Sequence, residues 1–150
     1  MAIDVTPKVP RLTYKSGNPL ATPVSAVVVG LTSDNKVSVL ADSIPKASAT
    51  KIANAFRAVG ATGAIDEVVR IPAGSLASAE VIVAVGLGSA ADGVSAERLR
   101  RAAGSATRSL AGYKKVAIAI TANDDLEAGA ILEGAAFGAY SFTEHRVATI

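Results

Sequence analysis

The chain has 150 residues, half of them hydrophobic but only 4% aromatic, with 15 Lys and Arg against 13 Asp and Glu. That length suits one domain, with a core built from Ala, Val, Ile and Leu. The formal charge of +2 gives no electrostatic case for a nucleic-acid partner, and the absence of Cys excludes disulfides, thiolate nucleophiles and Cys-ligated metals.

The opening MAIDVTPKVP has no apolar h-region, and Asp4, Pro7 and Pro10 interrupt it, so no signal peptide is expected. No apolar run reaches the roughly 18 residues of a membrane span. A cytoplasmic protein with no membrane partner is the expectation. Residues 1–23 read as an extension rich in Pro, Thr and Lys, with a short strand near Arg11–Tyr14 and a turn at Ser16-Gly17-Asn18-Pro19.

Ser25–Thr32 is a continuous apolar run of the kind found in strands covered on both faces. Ser33–Lys36 predicts a tight turn and Val37–Ala41 a returning strand, together a hairpin. From Ser48 the period changes. Ile52, Phe56 and Val59 share one helical face, and Gly60 suits the left-handed residue after a helix end. Ala64–Pro72 reads as a strand ended by Pro72, and Val81–Val85 as a buried strand.

Ser95 is a candidate N-cap for a helix over Ala96–Leu110, with Glu97 favourably placed in its first turn. Leu99, Ala103, Ala106 and Leu110 form the apolar stripe of that helix. Arg98, Arg101 and Arg108 lie off it, as a solvated face or a subunit contact. Gly112 is expected to close the helix. Lys114–Thr121 reads as a strand and Asn123–Tyr140 as a helix whose Gly129, Gly134 and Gly138 suit close backbone packing.

This alternation predicts an α/β fold, a three-layer α/β/α sandwich on a mixed, mainly parallel sheet.

Gly86-Leu87-Gly88-Ser89-Ala90-Ala91 matches the dinucleotide pattern G-x-G-x-x-A, but two contextual requirements fail. The helix is expected only after Ser95, too late for its N–H groups to meet a pyrophosphate. The acidic residue expected about 20 positions on is absent, since the next strand ends only near Asn123-Asp124. The glycines are expected to let the chain turn at a strand end. Phosphate binding by amides of the Gly86–Gly93 loop stays open, because strand C-termini are where open α/β sheets bind ligands.

Chemistry-bearing residues are sparse. His145 is the sole histidine. Asp124, Asp125 and Glu127 suit a helix start better than a metal site. Glu133 lies within a helix, and Ser89, Ser95 and Ser105 sit in no nucleophile elbow. No catalytic, cofactor-binding or metal-ligating residue is assigned to the chain.

Three stretches in order, VIVAVGLGS, SAERLRRAAGSATRSLAGYKKVAIAI and LEGAAFGAYSFTEHR, resemble the N-terminal domain of the leucyl aminopeptidase family, also called cytosol aminopeptidases. The resemblance rests on Val85–Gly88, then Leu99, Arg100, Ala102 and Gly104, then Glu133, Gly134, Tyr140 and Phe142, and covers roughly residues 25–146. It implies a macro-domain-like fold and a hexameric metalloprotease, with this domain preceding a peptidase domain that holds two divalent metals (Zn, Mn or Mg) and releases N-terminal amino acids. The family's Asn-Thr-Asp-Ala-Glu-Gly-Arg stretch does not occur, and Asn123-Asp124-Asp125 does not replace it. Residues 1–150 are therefore expected to be a single non-catalytic N-terminal domain. Its partners would be its own C-terminal peptidase domain and further copies of itself. The competing readings are a macro-type module binding ADP-ribose or a nucleotide, and a stand-alone interaction domain.

Overall fold

The computed structural model describes residues 2–4, 11–13, 17–34 and 37–148, with side chains over 17–34 and 37–139. Seven strands form one mixed sheet: β1 (Ala2–Asp4), β2 (Arg11–Thr13), β3 (Ala26–Thr32), β4 (Ser38–Leu40), β5 (Val68–Pro72), β6 (Val81–Gly88) and β7 (Lys115–Ala119). The order is β2-β1-β7-β3-β6-β5, with β4 pairing the far end of β3. β3 lies parallel to both β6 and β7, and every flanking pair is antiparallel. All residues of β3 and β6 are buried, because helices cover both faces of this parallel centre.

On one face, α1 (Lys46–Ala58) packs Ile52 and Phe56 against Val27, Val29, Leu31 and Ile82. On the other, α2 (Ala96–Ser109) and α3 (Asp125–Ala148) bury Leu99, Ala103, Ala106 and Ile131 against Val28, Val83, Val85 and Ile118. The alternation of inward residues along β3 and β6 thus feeds two cores, one per face.

Local chemistry sets the element ends. Gly60, at φ +90°, donates to Arg57 O at 3.0 Å, and Ala61 N donates to Phe56 O at 3.0 Å. These bonds form the paired closure that follows a left-handed C′ residue. Val59, expected on the buried stripe, is the cap residue instead and is exposed. Ser95 Oγ accepts Arg98 N–H at 3.2 Å, capping α2. Asp124 Oδ1 accepts Glu127 N–H at 2.8 Å, capping α3. The last helix runs on past the expected Tyr140 to Ala148.

Three expected boundaries are corrected. β1 and β2 pair with one another, and β1 continues the sheet from β7, so parts of residues 1–23 belong to the sheet rather than to an extension. Tyr14, Ser16, Asn35 and Lys36 lie outside the described residues. The strand expected over Ala64–Pro72 begins only at Val68. Asp66 takes a left-handed φ of +69°, which breaks an extended run, and Ile65 is half-exposed. The strand expected over Val81–Val85 continues through Leu87, which is buried, to Gly88.

Candidate functional site

The C-terminal ends of β3, β6 and β7 lie at one edge of the sheet, the place where open α/β folds recruit ligands. The Gly86–Gly93 segment sits there. Gly88, at φ +74°, makes the turn that the sequence assigns to this motif. Gly86 does not turn: it is a strand residue whose missing side chain admits the loop 61–67. A Cβ on Gly86 would fall 1.7 Å from Ala64 O, and one on Gly63 would fall 2.7 Å from the Thr32 carbonyl. The loop is wedged between the ends of β3 and β6.

Several amides of this region are already engaged. Gly86 N–H donates to Glu67 O at 2.7 Å and Gly88 N–H to Gly63 O at 2.8 Å. Ala90 N–H donates to Asp34 Oδ2 at 2.6 Å, and the Ser89 hydroxyl donates to Asp34 Oδ1. Gly93 N–H donates to Ala90 O at 3.0 Å. Asp34 thus occupies the position that a phosphate oxygen would take against this loop. Glu67 does the same for the neighbouring loop, accepting Thr62 and Gly63 N–H at 2.9 Å each. Ile65 lies over Gly88, 2.8 Å from where its Cβ would be. These contacts weigh against an open ADP-ribose cleft.

Arg98, expected on a solvated strip, folds back onto the loop. Its Nη1 donates to Leu87 O and Ser89 O at 2.8 Å each, and its Nη2 to Gly93 O at 2.7 Å. The planar guanidinium suits this fork of carbonyls, and Lys could not reproduce it. Sequence reasoning missed both Asp34 and Arg98, because each acts on groups distant along the chain or on backbone carbonyls.

The Ser89 hydroxyl first, then the Ala90 N–H and the Arg98 charge, hold the Asp34 carboxyl below its ordinary value of 3.8. A depressed folded-state value means the contact stabilises fully above the ordinary carboxylate range and is lost as pH falls through it. The stability difference between wild type and Asp34→Asn should therefore be constant around neutrality and shrink in acid. Urea midpoints at several pH values check this, and a difference that persists unchanged in acid would refute it.

The remaining candidates do not converge. Ser95 and Asp124 are helix caps, and Ser105 Oγ accepts from Arg108 at 3.3 Å. Glu133 stands 3.6 Å from Arg100 Nε, a half-exposed pair. Arg101 pairs with Asp66. The side chain of His145 lies outside the described residues. Among the described residues no three His, Cys, Asp or Glu side chains group closely enough to hold a metal ion. The donor set of the described residues does not fit a two-metal centre.

Residues 28–148 match the family model described as the cytosol aminopeptidase family, N-terminal domain. A probable cytosol aminopeptidase of Streptomyces griseus is 41% identical over 141 residues, covering 90% of this chain and 27% of its own length. One from Micrococcus luteus is 39% identical over 139 residues, covering 91% of this chain and 27% of its own. One from Rhodococcus erythropolis is 43% identical over 123 residues, covering 80% and 24%. The chain spans about a quarter of the length of these curated relatives.

Proposed function

The chain belongs to the cytosol aminopeptidase family, as its N-terminal domain, and from that premise we propose that it is a non-catalytic domain of a longer cytoplasmic metallo-aminopeptidase. In this reading the domain braces a C-terminal peptidase domain and supports assembly of a homo-oligomer, a hexamer. The observation that carries it is the state of the sheet edge. Several groups that could have met a ligand there are bonded within the chain: Asp34 and Glu67 accept loop amides, and Arg98 donates to loop carbonyls.

The two divalent ions of such an enzyme would be held by polypeptide beyond these residues; of the carboxylates here, Asp124 caps α3 while Asp34 and Glu67 anchor loops. What this chain contributes is a rigid body: two cores on one sheet, with the edge loops locked by charge-assisted bonds. No helix among the described residues is long and apolar enough to cross a membrane.

Equilibrium dialysis of residues 1–150 against zinc or manganese tests the reading. Retention well below one ion per chain is expected, because isolated carboxylates bind such ions weakly. Stoichiometric retention would overturn it.

A further inference from the structure

The three helices differ in how they distribute apolar residues. α2 buries Leu99, Ala102, Ala103 and Ala106 on one side and presents charge on the other. α3 does not segregate. Ala130, Ile131, Ala135 and Ala139 are buried, yet Leu126 is 71% exposed and Phe137 64% exposed. Leu126 and Phe137 lie about three turns apart, so they fall along one line of the helix. Glu133, exposed one turn before Phe137, shares that line, so this side of α3 presents apolar residues beside a charge.

Beside Phe137 runs a groove of about 430 Å³, floored by Gly104 and Gly134 and walled by Arg100, Arg101 and Arg108. The groove exists because α2 and α3 touch through glycine backbone there, leaving no side chains to fill the surface above. Arg100 is paired with Glu97, and Arg101 with Asp66. Arg108 donates only to Ser105 Oγ, and no carboxylate meets it among the described residues. The Nε of Arg100 is buried and makes no hydrogen bond among them, with Glu133 as its ion-pair partner 3.6 Å away. An exposed aromatic beside a guanidinium that meets no carboxylate among the described residues has the composition of an interface core.

The relatives indicate what covers it. They are close to four times as long as the matched stretch, and that stretch is their N-terminal domain, so the remaining polypeptide follows α3. From Phe137 to Ala148 the helix climbs only about 16 Å. The following domain therefore starts within reach of the groove.

We propose that the α2–α3 groove and Phe137 are the seat of the downstream domain of the same polypeptide, which sets an apolar side chain on Phe137 and a carboxylate on Arg108. This rests on the reading of the chain as one domain of a longer aminopeptidase.

The test uses the full-length protein carrying Phe137→p-benzoylphenylalanine, irradiated and mapped by peptide mass spectrometry. The position is exposed, so the substitution leaves both cores intact. Cross-links within one chain to residues beyond 150 are expected, with a several-fold lower yield when Arg108→Glu is added. Val59→p-benzoylphenylalanine, exposed on the α1 side of the sheet, should give no such product. Cross-links between two copies, equal yields at 59 and 137, or no product at 137 would each overturn the proposal. Leucine p-nitroanilide hydrolysis by the same preparation is read in parallel. Retained turnover without the cross-link sinks the docking alone, whereas absent turnover sinks the aminopeptidase reading beneath it.

Discussion

Gly134→Ala is expected to destabilise the domain by about 3 kcal/mol, the upper end of overpacking costs. The new Cβ would lie 2.0 Å from Arg100 O and 2.8 Å from Arg100 C, both backbone atoms that no rotamer change can move aside. α3 must then retreat from α2. The retreat opens the core that Leu99, Ala103, Ile131 and Ala135 close between helices and sheet. Alanine's better helix propensity, about 1 kcal/mol, offsets only part of this. At this chain length the melting temperature should fall by roughly 10 °C. Gly129→Ala supplies the contrast on the same helix. Nothing lies within 4 Å of its Cβ position, so that substitution should stabilise by about 0.5–1 kcal/mol. Thermal or urea unfolding of the two variants decides the matter, and equal stabilities would refute the close approach.

Gly86→Ala should cost a similar amount, roughly 3 kcal/mol, on the α1 side of the sheet, the face that Gly86 shares with Ile82 and Ala84. Its Cβ would lie 1.7 Å from Ala64 O and 2.9 Å from Gly63 C. The strand is held in register by β3 and cannot retreat, so the loop 61–67 must lift. Lifting breaks the bond from Gly88 N–H to Gly63 O and withdraws Gly63 from the Thr32 backbone. Amide exchange at Gly88 should therefore accelerate far more than exchange in α1. Gly93→Ala is the control. It meets nothing within 4 Å and bears only the strain of its φ of +84°, about 1–2 kcal/mol. If Gly86→Ala unfolds no more easily than Gly93→Ala, the loop is not wedged as described.

Both predictions depend on glycines whose reason lies far away in sequence, and that separates what the sequence discloses from what it hides. The β3 run Ala26–Thr32 is legible because seven buried residues in a row can only be covered on both faces. Ser95 and Gly60 are legible because capping is a local transaction among a few neighbouring residues. Gly134 and Gly138 are legible as sites of close packing, though the sequence does not distinguish them from Gly129, which packs against nothing.

Long-range contacts are not legible. Asp34 meets Ser89 and Ala90 across two strands, and nothing near Asp34 marks it as an acceptor. Ile65 and Asp66 read as strand only as the start of the run Ala64–Pro72. The structure prefers a loop, since Glu67 can anchor the amides of Thr62 and Gly63. Arg98 reads as surface charge because its three acceptors are backbone carbonyls, which carry no residue signature.

The sheet edge follows the same division. Sequence spacing argues against a Rossmann turn because α2 starts late, and α2 indeed begins at Ala96. What fills the edge instead is a matter of tertiary packing, seen only when Gly86 and Ala64 are placed together.

This chain folds around two cores, and in the proposed reading the groups that activate water lie on other polypeptide. The most direct measurement is hydrolysis of leucine p-nitroanilide by purified residues 1–150, with manganese or zinc added, beside the full-length protein. Turnover by the full-length protein alone is the expected result. Turnover by the purified domain above the metal-only blank would contradict it.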